Sequence, residues 1–307
     1  MTRAAMASAA VCLALVAGVT VPANGGSPST DLSHAWWSGD HANLSRAGFA
    51  AGASGLARAM AAADRDQVLA ALAAAPAAED GWAILDRIAR LCASPDRPVA
   101  AAAARAAAAI TADLDVARAR WLDIPPPTLD RLAASYLAIA KDPRRWPDVR
   151  VLAVDTYAHI AAARGPRTNA AITEALLSLT SALEPEVRRV AMERLPLPLL
   201  PATAAKLAAR IAVEPSDAVA LVAAQVACGE IAFGAPAKTM LGAMGEAGRR
   251  RLGRLITFQS LSISARLDAA LCIAADHTKT SAAAYRTFRA GISATARRHF
   301  DIRRGKK

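Results

Sequence analysis

The stretch Pro185-Glu186-Val187-Arg188-Arg189-Val190-Ala191 contains the pattern on which the prediction of the fold rests. Proline is tolerated only in the first turn of a helix, so Pro185 marks the place where a helix begins. The acid that follows lies at the positive end of the helix dipole. Val187 and Ala191 are four residues apart and share one face, where the small alanine lets a neighbouring helix approach. The stretch therefore predicts a helix that packs along one face against another helix.

The same opening recurs along the chain. A proline and an acid, then a valine, then an alanine four residues later, occur in three further places: Pro95-Asp96 with Val99 and Ala103, Pro147-Asp148 with Val149 and Ala153, and Pro215-Ser216-Asp217 with Val219 and Ala223. A weaker fifth copy is Ala265-Arg266 with Ala269. The four valines lie 50, 38 and 32 residues apart. Recurrence at such intervals indicates a repeated pair of helices that needs its neighbours to bury its apolar face.

The composition agrees with a helical chain. Hydrophobic residues make up 54% of the 307 residues and aromatic residues only 4%, and alanine, the best helix former, dominates the apolar fraction. No stretch alternates with period two long enough to predict a strand. After a capping-box start at Asp64 and Gln67, helices are predicted at about 81–93, 96–112, 127–141, 148–164, 168–183, 186–196, 200–213, 216–232, 235–245, 247–258, 262–276 and 280–296. The fold class is therefore all-α.

The segments Pro147-Asp148-Val149-Arg150 and Pro185-Glu186-Val187-Arg188 resemble the opening of the second helix in HEAT and armadillo-like α-solenoids. The resemblance covers residues 80–276 and implies an irregular HEAT-like α-solenoid of antiparallel helix pairs. The uneven spacing of the valines predicts degenerate repeats with an extra helix near residues 113–141. The alternative is an irregular helical bundle.

The N-terminus has the pattern of a secretory signal peptide. Arg3 precedes an uncharged apolar stretch at residues 7–21, and Val21-Pro22-Ala23 reads as a cleavage site that would leave Asn24 first. The apolar stretch is shorter than the roughly twenty residues of a spanning helix, so cleavage is favoured over an uncleaved anchor. Export to the periplasm or cell surface follows, with no transmembrane helix after cleavage. The predicted segments are a signal peptide (1–23), a flexible leader (24–43), a helical repeat domain (44–296) and a basic C-terminal tail (297–307).

Cleavage would remove Cys12 and leave Cys92, Cys228 and Cys272. An odd, sparse set of cysteines is not a disulfide framework. We expect three small buried side chains on helix faces, with a Cys228–Cys272 bridge as the alternative in an oxidising compartment.

The excess positive charge is concentrated at the C-terminal end. The formal net charge is +11, and residues 245–307 carry 14 basic against 4 acidic residues, whereas residues 24–244 carry 22 of each. Such a field attracts anionic partners, although a solvated cap with a basic tail is the simpler interpretation. The candidate contact residues in this region are Arg249, Arg250, Arg251, Arg254, Arg297, Arg298, Arg303 and Arg304.

No known catalytic or metal-binding motif is present, so we predict no catalytic residue, no metal and no cofactor. His34 and His41 are seven residues apart, too far on one helix to share an ion, and the tryptophans between them suggest an aromatic plug. His159 is expected in the core or a groove, His277 at a helix end and His299 in the basic tail.

These features predict an exported, non-catalytic helical-repeat scaffold for protein–protein or envelope interactions. Its partner would be an unknown protein or an anionic envelope component, contacted by Arg150, Arg188 and Arg189 if these project from a groove. The alternative is a nucleic-acid-binding HEAT-like protein, similar to the DNA glycosylases built on such helices, if the chain is not exported. No catalytic aspartate matches that family, and the export signal makes nucleic acid unlikely as the partner.

Overall fold

A computed structural model describes residues 36, 38–233, 237–258, 262–276 and 278–303, and this part of the chain is helical without any strand. The signal peptide, its cleavage site, Cys12, His34 and His277 lie outside the described residues. The described part contains fifteen α-helices: α1 (His41–Ala59), α2 (Arg65–Ala74), α3 (Leu85–Leu91), α4 (Arg97–Thr111), α5 (Val116–Trp121), α6 (Pro126–Lys141), α7 (Pro147–Ala163), α8 (Asn169–Leu179), α9 (Pro185–Glu193), α10 (Pro201–Val213), α11 (Asp217–Gly229), α12 (Ala237–Thr257), α13 (Ile263–Ala275), α14 (Lys279–Ala290) and α15 (Ala294–Arg303). Short 3₁₀ segments occur at Ala75–Ala77, Gly81–Ile84, Pro166–Thr168 and Glu230–Phe233.

The recurring motif begins helices as the sequence predicts. Pro147 and Pro185 occupy the first turns of α7 and α9. Asp96 and Ser216 cap α4 and α11, each accepting a hydrogen bond of 3.4 Å from the amide of the motif valine. These caps satisfy amides that have no partner within the helix, and so they fix where each helix starts.

The valine and alanine of each motif copy face the core. All eight side chains are buried: Val99, Ala103, Val149, Ala153, Val187, Ala191, Val219 and Ala223. The core around them consists mainly of alanine, leucine, isoleucine and valine. The predicted packing face is therefore confirmed, and small alanines allow the helix backbones to lie close together.

Most of the helices belong to one of two alternating series. Series B consists of α2, α4, α7, α9, α11 and α13, and each of these contacts the next. Series A consists of α3, α6, α8, α10, α12 and α14. Each of the first five contacts the series B helix that comes next in the chain. The short α5 lies between α4 and α6 in the chain and packs on α7, which accounts for the long spacing between Val99 and Val149.

Glycines divide two long helical stretches. Gly245 breaks α12 with a φ of 65°, so the separate helices predicted on either side of residue 246 are present with a kink between them. Gly52 breaks α1 in the same way, with a φ of 58°. Both are left-handed backbone conformations, which glycine adopts without steric cost.

The C-terminal end differs from the prediction. The single helix predicted at residues 280–296 is two helices, α14 and α15, separated by a turn at Gly291. Helix α15 extends through residue 303, so no structural boundary separates residue 296 from the predicted tail. Phe300 explains this order, because its fully buried ring packs edge-on against Phe288 with the centroids 5.8 Å apart. At the other end, α1 begins at His41, inside the predicted leader.

A disulfide links two neighbouring series B helices. Cys228 of α11 and Cys272 of α13 are bonded, with their Cα atoms 5.3 Å apart. The preferred interpretation of three free thiols is therefore wrong for two of them, because the sequence does not show that α11 and α13 are adjacent. Cys92 is free and buried, and burial raises the pKa of its thiol to about 12.

Candidate functional site

Arg150 lies in the first turns of α7 but does not project from the surface. Only 4% of its side chain is exposed. Its Nε donates to the carbonyl oxygen of Ala140 at 2.9 Å, near the end of α6, and its Nη1 is paired with Glu184 at the start of α9. The guanidinium of Arg150 thus connects its own helix pair to the next one.

Arg188 occupies the same position in α9 and makes the same kind of connection. Its Nη2 donates to the carboxylate of Glu214 at 2.6 Å and its Nε at 3.0 Å. Its Nη1 donates to the carbonyl oxygens of Ala182 and Leu183 at 2.8 and 2.6 Å. Because Arg150 and Arg188 are both buried, the condition for their predicted role as contact residues, projection from a groove, is not met. Their side chains instead hold the helices together.

Similar arginine–acid pairs connect most of series B. We call the following set the arginine ladder: Arg65 with Asp96 (2.7 Å), Arg97 with Asp148 (3.6 Å), Arg150 with Glu184, and Arg188 with Glu214. Each pair joins the start of one series B helix to the start of the next or to the loop before it. The two pairs at the N-terminal end are about half exposed, whereas both arginines of the later pairs are buried.

Arg266 has the equivalent position in α13, the last helix of series B. Its Nη1 donates to the carbonyl oxygen of Ile256, ten residues earlier, as Arg150 does to Ala140. Its Nε has no hydrogen-bond partner among the described residues. Among the described residues, no further series B helix follows α13, and no acid pairs with Arg266 as Glu184 and Glu214 pair with Arg150 and Arg188.

Glu214 is the most enclosed acid of the ladder, with no exposed side-chain surface. Burial alone would raise the pKa of its carboxyl, but hydrogen bonds from Arg188 and from the amide of Ser216, together with the charge of Arg188, lower that pKa below its usual value. Glu214 is therefore ionised throughout the neutral range and holds its bonds there.

Arg189, the third predicted contact residue of this region, is partly exposed. It pairs at 2.7 Å with Glu186 and Glu193 of its own helix. Arg194 at the end of α9 pairs with Asp155 of α7. These side chains and His159 define a polar surface that we call the α7–α9 face, consisting of Asp155, His159, Arg189, Glu193 and Arg194.

His159 is the neutral member of the α7–α9 face. Burial is the main cause of the lowered pKa of its imidazole, opposed by the charge of Asp155 one turn earlier in α7. Its Nδ1 is buried and has no partner within the described part of the chain. The prediction of a core or groove position for His159 is therefore confirmed. Sequence reasoning did not predict its neighbours Asp155 and Arg194, because they lie on different helices.

The predicted basic contact residues divide into two groups. Arg249 and Arg251 are largely internal: Arg249 is paired with Glu246 and Asp276, and Arg251 with Asp217 at 2.6 Å. The other group is exposed and comprises Arg250, Arg254, Arg297 and Arg298. The side chain of Arg303 and all of Arg304 lie outside the described residues.

Two open cavities are candidates for small ligands. One of about 300 Å³ lies between α1, α4 and α5 and is lined by Phe49, Trp82 and Arg118, among others. The second, of about 610 Å³, lies between α8 and α10 and is lined mainly by hydroxyl-bearing and charged side chains. Within the described part of the chain, no hydroxyl group that lines either cavity is hydrogen-bonded to an acidic or basic side chain.

Two kinds of site are absent from the described residues. No three histidine, cysteine, aspartate or glutamate side chains converge there as a metal site would need, and His41 stands exposed at the start of α1. None of the described helices combines the length and the apolar character of a membrane span. Comparison with models of known protein families gives no match, and comparison with curated proteins gives no significant similarity.

Proposed function

We propose that the protein is an exported, non-catalytic scaffold of HEAT-like antiparallel helix pairs that binds a partner protein on its series B helices. The observation that carries this proposal is the order of contacts, because each series B helix touches the next and the series runs from α2 to α13. An array built in this way extends by adding units, and its repeated helices form a long continuous surface.

The arginine ladder supports the same architecture. A globular bundle brings helices together regardless of their order in the chain, whereas each of the four ladder pairs joins a series B helix to the one that follows it in the series. Such nearest-neighbour connections are typical of repeat proteins.

The α7–α9 face is our candidate for the contact with a partner protein. It lies in the middle of series B and combines both signs of charge with a half-buried imidazole. Charged groups arranged in this way give specificity and orientation to an interface more than they give affinity. Arg189 keeps its predicted role in this proposal, whereas Arg150 and Arg188 do not.

Two features support export. The N-terminal leader has the pattern of a cleaved signal peptide. The Cys228–Cys272 bond is of a kind that persists in oxidising compartments and is rare in the cytosol of mesophiles.

Export is tested by fractionating the source cells and sequencing the N-terminus of the protein. We expect the mature chain to start at Asn24, to lie outside the cytoplasm and to contain one thiol that alkylates only after unfolding. An uncleaved cytoplasmic protein with three free thiols would overturn export. If that protein also bound duplex DNA with a steep salt dependence, the nucleic-acid alternative would replace our proposal.

The partner surface is tested by photo-crosslinking in the source cells. A photoreactive residue at Glu193, on the α7–α9 face, should give one specific adduct with a protein. The matched control is Ala134, which is exposed on α6 of series A. Equal adducts at both positions, or none at Glu193, would contradict the assignment of the α7–α9 face.

A further inference from the structure

The acids near the C-terminus are occupied by internal bonds. Glu246 pairs with Arg249 and Arg250, and Asp301 pairs with Arg289 at 2.7 Å. Asp276 accepts hydrogen bonds from Thr278 at 2.9 Å and Ser281 at 2.6 Å. Three of the four acids after residue 244 therefore bind Arg249, Arg250, Arg289 and two hydroxyl groups rather than the other bases of this region.

Five further bases lie exposed on three adjoining helices. They make no ion pair within the described part of the chain, and they are Arg254 on α12, Lys279 and Arg286 on α14, and Arg297 and Arg298 on α15. Helix α14 contacts α12, where Gly253, next to Arg254, lies close against Ala284. Helix α15 is fixed to α14 by the buried ring of Phe300 and by the Arg289–Asp301 pair. The unpaired charges thus belong to one folded end of the molecule.

Two large apolar side chains are exposed, each four residues after one of these bases in the chain. Phe258 follows Arg254 by four residues and is 61% exposed. Ile302 follows Arg298 by four residues along α15 and is 65% exposed. Side chains four residues apart share one face of a helix, so Ile302 lies beside Arg298 on α15. Phe258 directly follows the last residue of α12, the helix that bears Arg254.

We propose that this end of the molecule binds the anionic headgroups of a phospholipid bilayer. We define the lipid-binding surface as Arg254, Phe258, Lys279, Arg286, Arg297, Arg298 and Ile302. Unpaired bases attract an anionic membrane surface, and apolar side chains beside them enter the boundary between headgroups and acyl chains. This inference extends the proposed function, because it names the envelope component that the scaffold binds. Its biological relevance rests on the proposed function.

A bilayer suits this surface better than a nucleic acid does. A duplex would engage the arginines through its phosphates but would leave Phe258 and Ile302 beside a charged backbone. Of these two partners, only a lipid surface uses both the charges and the apolar groups.

The test is co-sedimentation of the purified full-length protein with vesicles of phosphatidylcholine, alone or mixed with phosphatidylglycerol. We expect binding that requires phosphatidylglycerol and weakens as salt is raised. The triple variant Arg254→Glu, Arg286→Glu, Arg298→Glu should bind mixed vesicles at least about tenfold more weakly. All variants carry the same N-terminus, so any contribution of the leader is constant.

A matched control separates local from overall charge. The triple variant Arg58→Glu, Arg90→Glu, Arg105→Glu changes the net charge by the same amount, and all three arginines are exposed in α1, α3 and α4. Its binding should change by less than about threefold. Equal losses in both triple variants would show that only net charge matters and would overturn the proposal.

A second variant tests the apolar contribution. Phe258→Ser with Ile302→Ser should weaken binding to mixed vesicles while leaving its salt dependence unchanged. Far-UV circular dichroism and thermal melts establish that each variant is folded. Binding to duplex DNA but not to mixed vesicles would replace the lipid by nucleic acid, and equal binding to both vesicle types would refute headgroup recognition. Because the assay is done with purified protein, failure of export leaves its outcome unchanged.

Discussion

We expect the variant Arg188→Met to lose about 3–5 kcal/mol of the free energy of unfolding, which is the usual cost of removing one partner from a buried ion pair. Methionine keeps the unbranched stem and the helix propensity of arginine, so the substitution removes little besides the guanidinium. The carboxylate of Glu214, which has no exposed surface, loses the bonds of 2.6 and 3.0 Å from Arg188. The carbonyl oxygens of Ala182 and Leu183 lose a donor as well.

The remaining partners of Glu214 limit the loss. Its carboxylate still accepts from Nε of Arg210 at 3.2 Å and from the amide of Ser216 at 3.1 Å. Some of its charge is thus still compensated, which places the expected cost in the lower half of the range, about 3–4 kcal/mol. Replacing both partners, in Arg188→Met with Glu214→Gln, should cost less than the sum of the two single changes, because neither charge of the buried pair is left without the other.

The assay is urea unfolding followed by far-UV circular dichroism, with the slope recorded as well as the midpoint. Arg189→Met is the matched control, because Arg189 is the adjacent residue of α9 and pairs only with acids of its own helix. An exposed pair of this kind contributes less than about 1 kcal/mol. If Arg188→Met is no more destabilising than Arg189→Met, then the guanidinium of Arg188 is not buried against Glu214, and our account of the ladder is wrong.

Three further outcomes are expected. The pKa of Glu214 is lower in the folded protein than in the unfolded chain, so the ionised carboxylate stabilises the fold. This stabilisation is complete above the unfolded pKa of about 4.3 and is lost as the pH falls through the lower folded value. Glu214→Gln should therefore flatten the acid side of a plot of melting temperature against pH. Reducing the Cys228–Cys272 bond, which joins residues 44 apart, should cost about 4 kcal/mol in urea unfolding, and the double serine variant should be insensitive to reductant. Gly48→Ala should lower the free energy of unfolding by about 1–3 kcal/mol, because a Cβ there would overlap the last residue of α2. Gly242→Ala is the control, because a Cβ there meets open space, and it should be neutral or stabilising by up to about 1 kcal/mol in the same assay.

The starts of the helices could be predicted from the sequence because their causes are local. A proline in the first turn or a capping side chain acts within four residues, so Pro185 and Ser216 mark α9 and α11 without reference to the rest of the chain. The burial of the motif valines could be predicted for the same reason, because it depends on residues within one turn of the same helix. Phe300 shows the limit of this reasoning, because one aromatic residue in a basic segment has no period of its own, yet it fixes α15 by packing against a ring twelve residues away.

The roles of Arg150 and Arg188 could not be predicted, because their partners belong to the next helix pair. Glu184 and Glu214 lie 34 and 26 residues further along the chain. The sequence does contain one signal, since each acid stands directly before the proline of Glu184-Pro185 and Glu214-Pro215. This signal can be interpreted only when it is known that the preceding series B helix lies beside that proline.

The ladder has a physical reason in a core built largely of alanine. Small uniform side chains let helices approach closely, but they interlock poorly and do not by themselves fix how far one helix slides along its neighbour. A guanidinium bonded to a carbonyl of its own unit and to a carboxylate of the next has one satisfactory position, and so does the helix that bears it. Buried charge adds little to stability when measured against an apolar replacement, so we expect its contribution here to be to the register between units. The disulfide between α11 and α13 joins adjacent series B helices at a place where Arg266 pairs with no acid among the described residues.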